Sequence, residues 1–224
     1  QPVNEDGTAK TGEIYLGKYQ VVETQAPDGF VLNATPQDLE LAYAGQEVSV
    51  TSSSTSFIND RQKLEMSALK DMEQDGLYGI GMNGEITAVA FGLFAKDEIT
   101  AADGAKIPAD GLMEIVFADE EGNIRFQSDL PFGTYYVKEL TTDIHYVLDE
   151  TVYEVKFEYA GQDVALQRVI LNKGEAIENE LKYGRIVGHK VNDEVADGEE
   201  RGMAGAVFGI FKEGTMELDA DHAI

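Results

Sequence analysis

The 224-residue sequence predicts an all-β protein made of tandem units, each a β-sandwich or barrel. Three observations predict it: apolar and polar residues alternate over short runs, turn residues punctuate those runs, and the pattern recurs after roughly 120 residues.

The alternation is clearest in the middle of the chain. Tyr135, Val137 and Glu139 interleave with Tyr136 and Lys138, and Val152 to Phe157 alternates with β-branched and aromatic residues. Turn signals stand between such runs at Asp75-Gly76, Asp103-Gly104, Asp110-Gly111, Glu121-Gly122-Asn123 and Ala160-Gly161. Thr87 to Phe94 has a composition compatible with a short helix, but strand is favoured there. Asp75 to Gly84 is Gly-rich and reads as a loop.

The repeat is direct. Gly17-Lys18-Tyr19-Gln20-Val21-Val22-Glu23 matches Gly133-Thr134-Tyr135-Tyr136-Val137-Lys138-Glu139, an offset of 116 (139 − 23). Tyr43-Ala44-Gly45-Gln46 matches Tyr159-Ala160-Gly161-Gln162 at the same offset (159 − 43). Asn59 and Lys70 match Asn179 and Lys190 at 120 (179 − 59, 190 − 70). Val89 to Phe94 matches Ala206 to Phe211 at 117 (206 − 89). Residues 1–62 therefore read as the rear part of one unit, 63–182 as a complete unit, and 183–224 as the front of a third. The sequence reads as an excerpt of a longer array.

Composition excludes several function classes. A hydrophobic content of 43% supports packed cores rather than disorder. There is no Cys, which removes disulfides, thiolate metal sites and cysteine nucleophiles. A net charge of −25 repels phosphate backbones, so no nucleic-acid partner is expected. No apolar run approaches the ~20 residues of a membrane span. No serine-hydrolase elbow, P-loop or H-E-x-x-H motif occurs, so no multiple-turnover enzyme and no cofactor are expected. Gly79 to Gly84 fits G-x-G-x-x-G but sits in a β-rich context with no following helix. Asp219, Asp221 and His222 read as a solvated loop rather than a metal site, His145 and His189 have no obvious catalytic partners, and Asn33-Ala34-Thr35 is a weak glycosylation signal.

Three residue types stand in phase with apolar neighbours. Lys70 shares a strand face with Leu64, Met66 and Ala68, and Lys190 with Ile186 and Gly188. Glu139 lines up with Tyr135 and Val137, and Glu23 with Tyr19 and Val21. Asn179 lines up with Ile177 and Leu181, and Asn59 is its counterpart at the repeat offset. If these faces are buried, the lysine loses its proton more easily and the glutamate gains one more easily. That pair suits amide formation. A neutral lysine amine attacks the asparagine carbonyl carbon, a protonated glutamate binds the carbonyl oxygen and shuttles protons, and ammonia leaves. The plainer alternatives are a lysine that snorkels to solvent and an ordinary salt bridge to Glu139.

Three segments resemble the Cna protein B-type (SpaA-like, prealbumin-like) repeat domains of Gram-positive surface adhesins and pilins. Arg201 to Phe211 is similar to the family's LAGAxFxL strand. Gly122 to Phe126 followed by Leu130 to Glu139 is similar to GxIxFxxLPxGxYxLxE, and Glu23 to Phe30 to ExxAPxGY. The resemblance implies Ig-like, prealbumin-like β-sandwiches, one complete and two partial. It also implies an isopeptide bond between a first-strand Lys and a last-strand Asn, with the Glu as catalyst. By position these are Lys70, Asn179 and Glu139, with Glu23, Asn59 and Lys190 as the partial-repeat equivalents. Two departures stand out: Leu140-Thr141-Thr142-Asp143 replaces the AxP after Glu139, and Glu85 to Ala90 lacks the AGA glycine.

Two functions follow as expectations. The first is a structural stalk or pilin-like shaft, extracellular and cell-wall-anchored, whose partners are neighbouring repeats. The second is an adhesin that grips a host or matrix molecule through loops near Asp75–Gly84 and Ala101–Asp110 or through a sandwich face. The two partial units are complementary halves, and exchange between molecules would bring Lys190 to Glu23 and Asn59.

Overall fold

Strands occupy the alternating runs, as the side-chain period requires. A computed structural model describes residues 2–101, 103–191, 202, 204–219, 221, 223 and 224. The chain divides into a unit over Gln1–Lys182 and another over Tyr183–Ile224.

In the first unit, β1 (Gly17–Val21) pairs antiparallel with β2 (Gln37–Leu41). The strands that follow are β3 (Lys63–Met72), β4 (Ala90–Ala95), β5 (Ile99–Thr100), β6 (Lys106–Ile107), β7 (Leu112–Phe117), β8 (Asn123–Phe126), β9 (Gly133–Thr141), β10 (Val152–Phe157), β11 (Leu166–Ile170) and β12 (Ile177–Asn179). One sheet runs β10-β9-β4-β7, all antiparallel. The other is built on β3, which pairs parallel with β11 and β12 and antiparallel with β8. The protein is all-β: among the described residues the helical elements are two single 3-10 turns, Glu85–Ala88 and Leu171–Gly174.

Both sheets turn one face inward. Leu64, Met66, Ala68 and Met72 of β3 meet Phe91 and Leu93 of β4, Tyr135 and Val137 of β9, and Val155 and Phe157 of β10 in one buried cluster. This is the face that alternation selects, and burial of its apolar area drives the packing.

Three local expectations are corrected. Strand was favoured over Thr87 to Phe94, yet β4 begins only at Ala90. Glu85–Ala88 coils into a 3-10 turn because Thr87 returns both its N–H and its hydroxyl to the Gly84 carbonyl, at 3.0 and 2.8 Å. The loop expected near Ala101–Asp110 contains β6 of the small β5–β6 hairpin. Tyr183 to Lys190 forms no strand, although Ile186, Gly188 and Lys190 alternate as β3 does. A β3-like strand needs partners equivalent to β8, β11 and β12, and residues 183–224 hold no counterpart of these three at the repeat offset. In that unit Val191 bridges Gly202, and the Ile224 N–H reaches the Ile210 carbonyl.

The sequence repeat is also a repeat of hydrogen bonds. Gly17 pairs with Leu41 and Gly133 with Phe157. Phe30 bridges Arg61 and Tyr146 bridges Leu181. Val31 N–H bonds the Asp60 carbonyl at 2.8 Å and Val147 N–H bonds the Glu180 carbonyl at 2.9 Å.

Residues 1–62 dock onto the rest of their unit through two glutamines. The Gln162 side-chain oxygen accepts the Ala26 N–H at 2.9 Å, and its backbone carbonyl accepts the Leu32 N–H at 2.9 Å. Gln62 is 1% exposed. Its amide donates to the Gly161 carbonyl at 2.6 Å and accepts from the Ala160 N–H at 3.0 Å and from Gln167 at 3.2 Å.

Gln62→Ala would leave the Ala160 N–H and Gly161 carbonyl without their partner. Denaturant melts should show a loss of about 1–3 kcal/mol, against a change within about 0.5 kcal/mol for the exposed neighbour Lys63→Ala.

Candidate functional site

Lys70 reaches the core because it occupies an inward position of β3, two residues beyond Ala68. Its backbone is fixed on both sides. Its N–H bonds the Gly122 carbonyl at 2.7 Å, and it pairs in register with Ile177 of β12. Gly122 has φ +81, and a Cβ there would lie 2.2 Å from the Lys70 carbonyl oxygen, so only glycine allows the two backbones to approach this closely.

The Lys70 side chain is fully buried. Its ammonium nitrogen donates to the Ile177 carbonyl at 2.7 Å and the Asp71 carbonyl at 3.0 Å. Glu139, inward on β9, approaches with Oε2 at 3.9 Å from Nζ, and that oxygen has no hydrogen-bond partner. Burial pushes the Lys70 amine down to about 8, against the opposing pull of the Glu139 and Asp149 charges. Burial likewise pushes the Glu139 carboxyl up, although the Asn179 amide and the Lys70 charge pull it down. Both shifts favour the neutral forms, because an apolar core solvates charge poorly.

Asn179 follows Ile177 inward on β12 and is 2% exposed. Its Nδ2 donates to Glu139 Oε1 at 3.1 Å and to the Val147 carbonyl at 2.7 Å. Its Oδ1 accepts from the Thr142 hydroxyl at 3.3 Å. The site thus places an amine, a carboxyl and a primary amide around one buried point. The carboxyl has one oxygen toward the amine and the other toward the amide nitrogen. The protonated-glutamate-to-carbonyl bond expected from sequence is not the arrangement found: Glu139 faces the nitrogen, and the carbonyl oxygen belongs to Thr142.

Residues 1–62 repeat half of this. Glu23 Oε2 accepts from Asn59 Nδ2 at 2.6 Å and from the Asn33 N–H at 2.8 Å, and Asn59 also donates to the Val31 carbonyl at 2.9 Å. Both residues are half-buried, and no lysine completes the cluster among the described residues. Lys190 is exposed in the second unit, with Nζ on the Val191 carbonyl at 3.3 Å.

Sequence reasoning missed three neighbours. Thr142 touches the Asn179 amide. Asp149 and Tyr153 form a pair at 3.0 Å whose carboxylate lies close enough to influence both Lys70 and Glu139. The usable signal for Thr142 was its place three residues after Glu139, where the sequence has Ala26 three residues after the matching Glu23. The G-x-G-x-x-G segment serves packing: a Cβ on Gly81 would lie 2.6 Å from the Tyr146 hydroxyl oxygen, which donates to the Glu73 carbonyl. No group of metal-ligating side chains occurs among the described residues, and His222 lies outside them.

A family model described as a prealbumin-like fold domain, SpaA, matches residues 3–55 and 82–169, more than half of the chain. The match includes Glu23 and Glu139 but not Lys70, Asn59 or Asn179. Among solved structures, the Bacillus anthracis TIE protein aligns with a TM-score of 0.50 and 21% identity, covering 80% of this chain and 28% of its own. The minor pilin GBS52 of Streptococcus agalactiae aligns at 0.34 and 18%, covering 84% and 70%. The Corynebacterium diphtheriae major pilin SpaA aligns at 0.30 and 15%, covering 70% and 41%. The first of these likenesses speaks for a shared fold alone, and the chain spans well under half of that protein. No curated protein matches the chain.

Gly122→Ala should destabilise the fold by about 1–3 kcal/mol more than Gly104→Ala in a denaturant melt. Both glycines have positive φ, but only Gly122 would clash with the backbone at Lys70.

Proposed function

Since the chain belongs to the SpaA family of prealbumin-like domains, we propose that it is a shaft segment of an extracellular adhesin or pilin-like protein, locked by a Lys70–Asn179 isopeptide bond. The convergence of Lys70, Glu139 and Asn179 in one apolar core carries this reading.

The chemistry follows from the placement of the two carboxyl oxygens. The neutral Lys70 amine attacks Asn179 Cγ, and the carbonyl electron pair moves onto Oδ1. Once the carbon is tetrahedral, the Nδ2 lone pair is no longer delocalised and becomes basic. Protonated Glu139 then gives its proton to Nδ2 from Oε1 while Oε2 takes the proton released by Nζ. The C–N bond to Nδ2 breaks, one ammonia leaves, and a secondary amide joins the two side chains. The glutamate ends as it began. Proximity within a rigid core supplies most of the rate. The reaction happens once per unit, on the chain itself, and needs no cofactor.

Such a bond suits a load-bearing array. In this reading residues 1–62 are the rear of one repeat, 63–182 a complete repeat and 183–224 the front of the next, and neighbouring repeats are its partners. The cross-link would join β3 to β12, 109 residues apart (179 − 70), for an entropic stabilisation of roughly 4–5 kcal/mol. Tension entering through β3 and leaving through β12 would cross the covalent bond, and the sandwich between them would carry none of it. Cell-wall anchoring on a Gram-positive surface is part of the same proposal.

One observation favours a second reading as a ligand-binding adhesin. In the Asp75–Gly84 loop, Leu77 and Met82 are 67% and 60% exposed. Exposed apolar side chains on a loop suit a protein or matrix ligand. Loss of binding to immobilised host matrix on Leu77→Ser/Met82→Ser substitution would support it, and unchanged or absent binding would count against it.

The intact mass of the purified chain should be one ammonia below the sequence mass, and that of Glu139→Ala should equal the sequence mass. In single-molecule pulling, the wild-type 63–182 region should not extend, whereas Asn179→Ala should unfold over its full length and be cut faster by proteases.

A further inference from the structure

Resting on the amide exchange described above, we propose that Thr142 is a catalytic residue of that reaction, its hydroxyl stabilising the negative charge that develops on Asn179 Oδ1. In the ground state that oxygen accepts the Thr142 hydroxyl at 3.3 Å. When Lys70 attacks, the oxygen gains an electron pair in a core where unsolvated charge is expensive.

The surroundings leave this task to Thr142. Glu139 faces the other side of the amide, through Nδ2. The Val147 carbonyl, 2.7 Å from Nδ2, fixes that orientation, because a flipped amide would set oxygen against oxygen. The Glu139 proton is therefore directed to the leaving nitrogen, and the oxyanion needs a separate donor. Thr142 sits just past the end of β9, held over the site by the turn in which the Tyr146 N–H bonds the Asp143 carbonyl at 3.1 Å.

The preceding repeat provides an internal contrast. Its Glu23, Asn59 and Val31 reproduce the carboxyl, the amide and the carbonyl that orients it. The position matching Thr142 is Ala26 (142 − 116), which has no hydroxyl. Two halves with the same frame thus differ in the one group that contacts the carbonyl oxygen. A single oxyanion donor in a preorganised site is worth about 100- to 1000-fold in rate. A neutral hydroxyl at the long end of hydrogen-bonding distance should give roughly tenfold or more.

The test is a pulse-labelled cell-free synthesis of the full chain, with ammonia loss followed by intact mass over time. Thr142→Val should slow the loss at least about tenfold while reaching the same end point, and Thr142→Ser should stay within about twofold of wild type. Thr142→Ala, the residue of the preceding repeat, serves if the valine variant misfolds, with far-UV circular dichroism checking each fold. Equal rates for wild type and a folded valine or alanine variant would overturn the role of Thr142 and leave the exchange itself standing. A slow serine variant would also overturn it, pointing to packing by the methyl group. A wild type that never loses ammonia would overturn both.

Discussion

An ammonium and a carboxylate side chain enclosed in one apolar sandwich core set the terms for the rest of this structure. Fully buried Lys70 and Glu139 cannot both stay charged cheaply at a separation of 3.9 Å without a direct hydrogen bond between them. The core pushes each toward its neutral form, which in the proposed reaction would let the lysine attack and the glutamate donate a proton. The same burial that is a liability for a static ion pair is a precondition for amide exchange. A bond that removes both titratable partners from the problem would convert the least stable part of the core into its most durable one.

The architecture around that cluster distributes the work. β3 carries the amine and gathers β8, β11 and β12, so the first and last strands of residues 63–182 lie side by side. β9 brings the carboxyl from the opposite sheet. A cross-link here would tie the two ends of the unit together across its core. Where residues 1–62 meet the rest of their unit, Gln62 and Gln162 form a part-buried hydrogen-bond latch. The position matching Gln62 in the later repeat is Lys182, whose N–H still bonds the His145 carbonyl as Gln62 N–H bonds Gly29. The backbone hydrogen bond recurs at this position, while the glutamine side chain does not.

Much of this was legible in the sequence, for a simple geometric reason. A period of two selects a face, so Leu64, Met66, Ala68 and Lys70 had to share one fate, as did Tyr135, Val137 and Glu139. The repeat offset paired Glu23 with Glu139 and Asn59 with Asn179, and the hydrogen bonds of the two halves follow the same offset. What escaped was set by tertiary contact rather than by period. Thr142 lies in a loop whose direction depends on the Asp143–Tyr146 turn. The 3-10 turn at Glu85–Ala88 depends on Thr87 reaching back to Gly84. Alternation around Lys190 could not make a strand without the partners that β3 has.

Digestion of the wild-type chain followed by tandem mass spectrometry would locate the cross-link itself. The expected result is a branched peptide in which the Lys70 side chain is joined to the Asn179 side chain, with no unlinked form of either. Recovery of two separate linear peptides carrying intact Lys70 and Asn179 would contradict the self-locking shaft and leave a buried, unreacted polar cluster in its place.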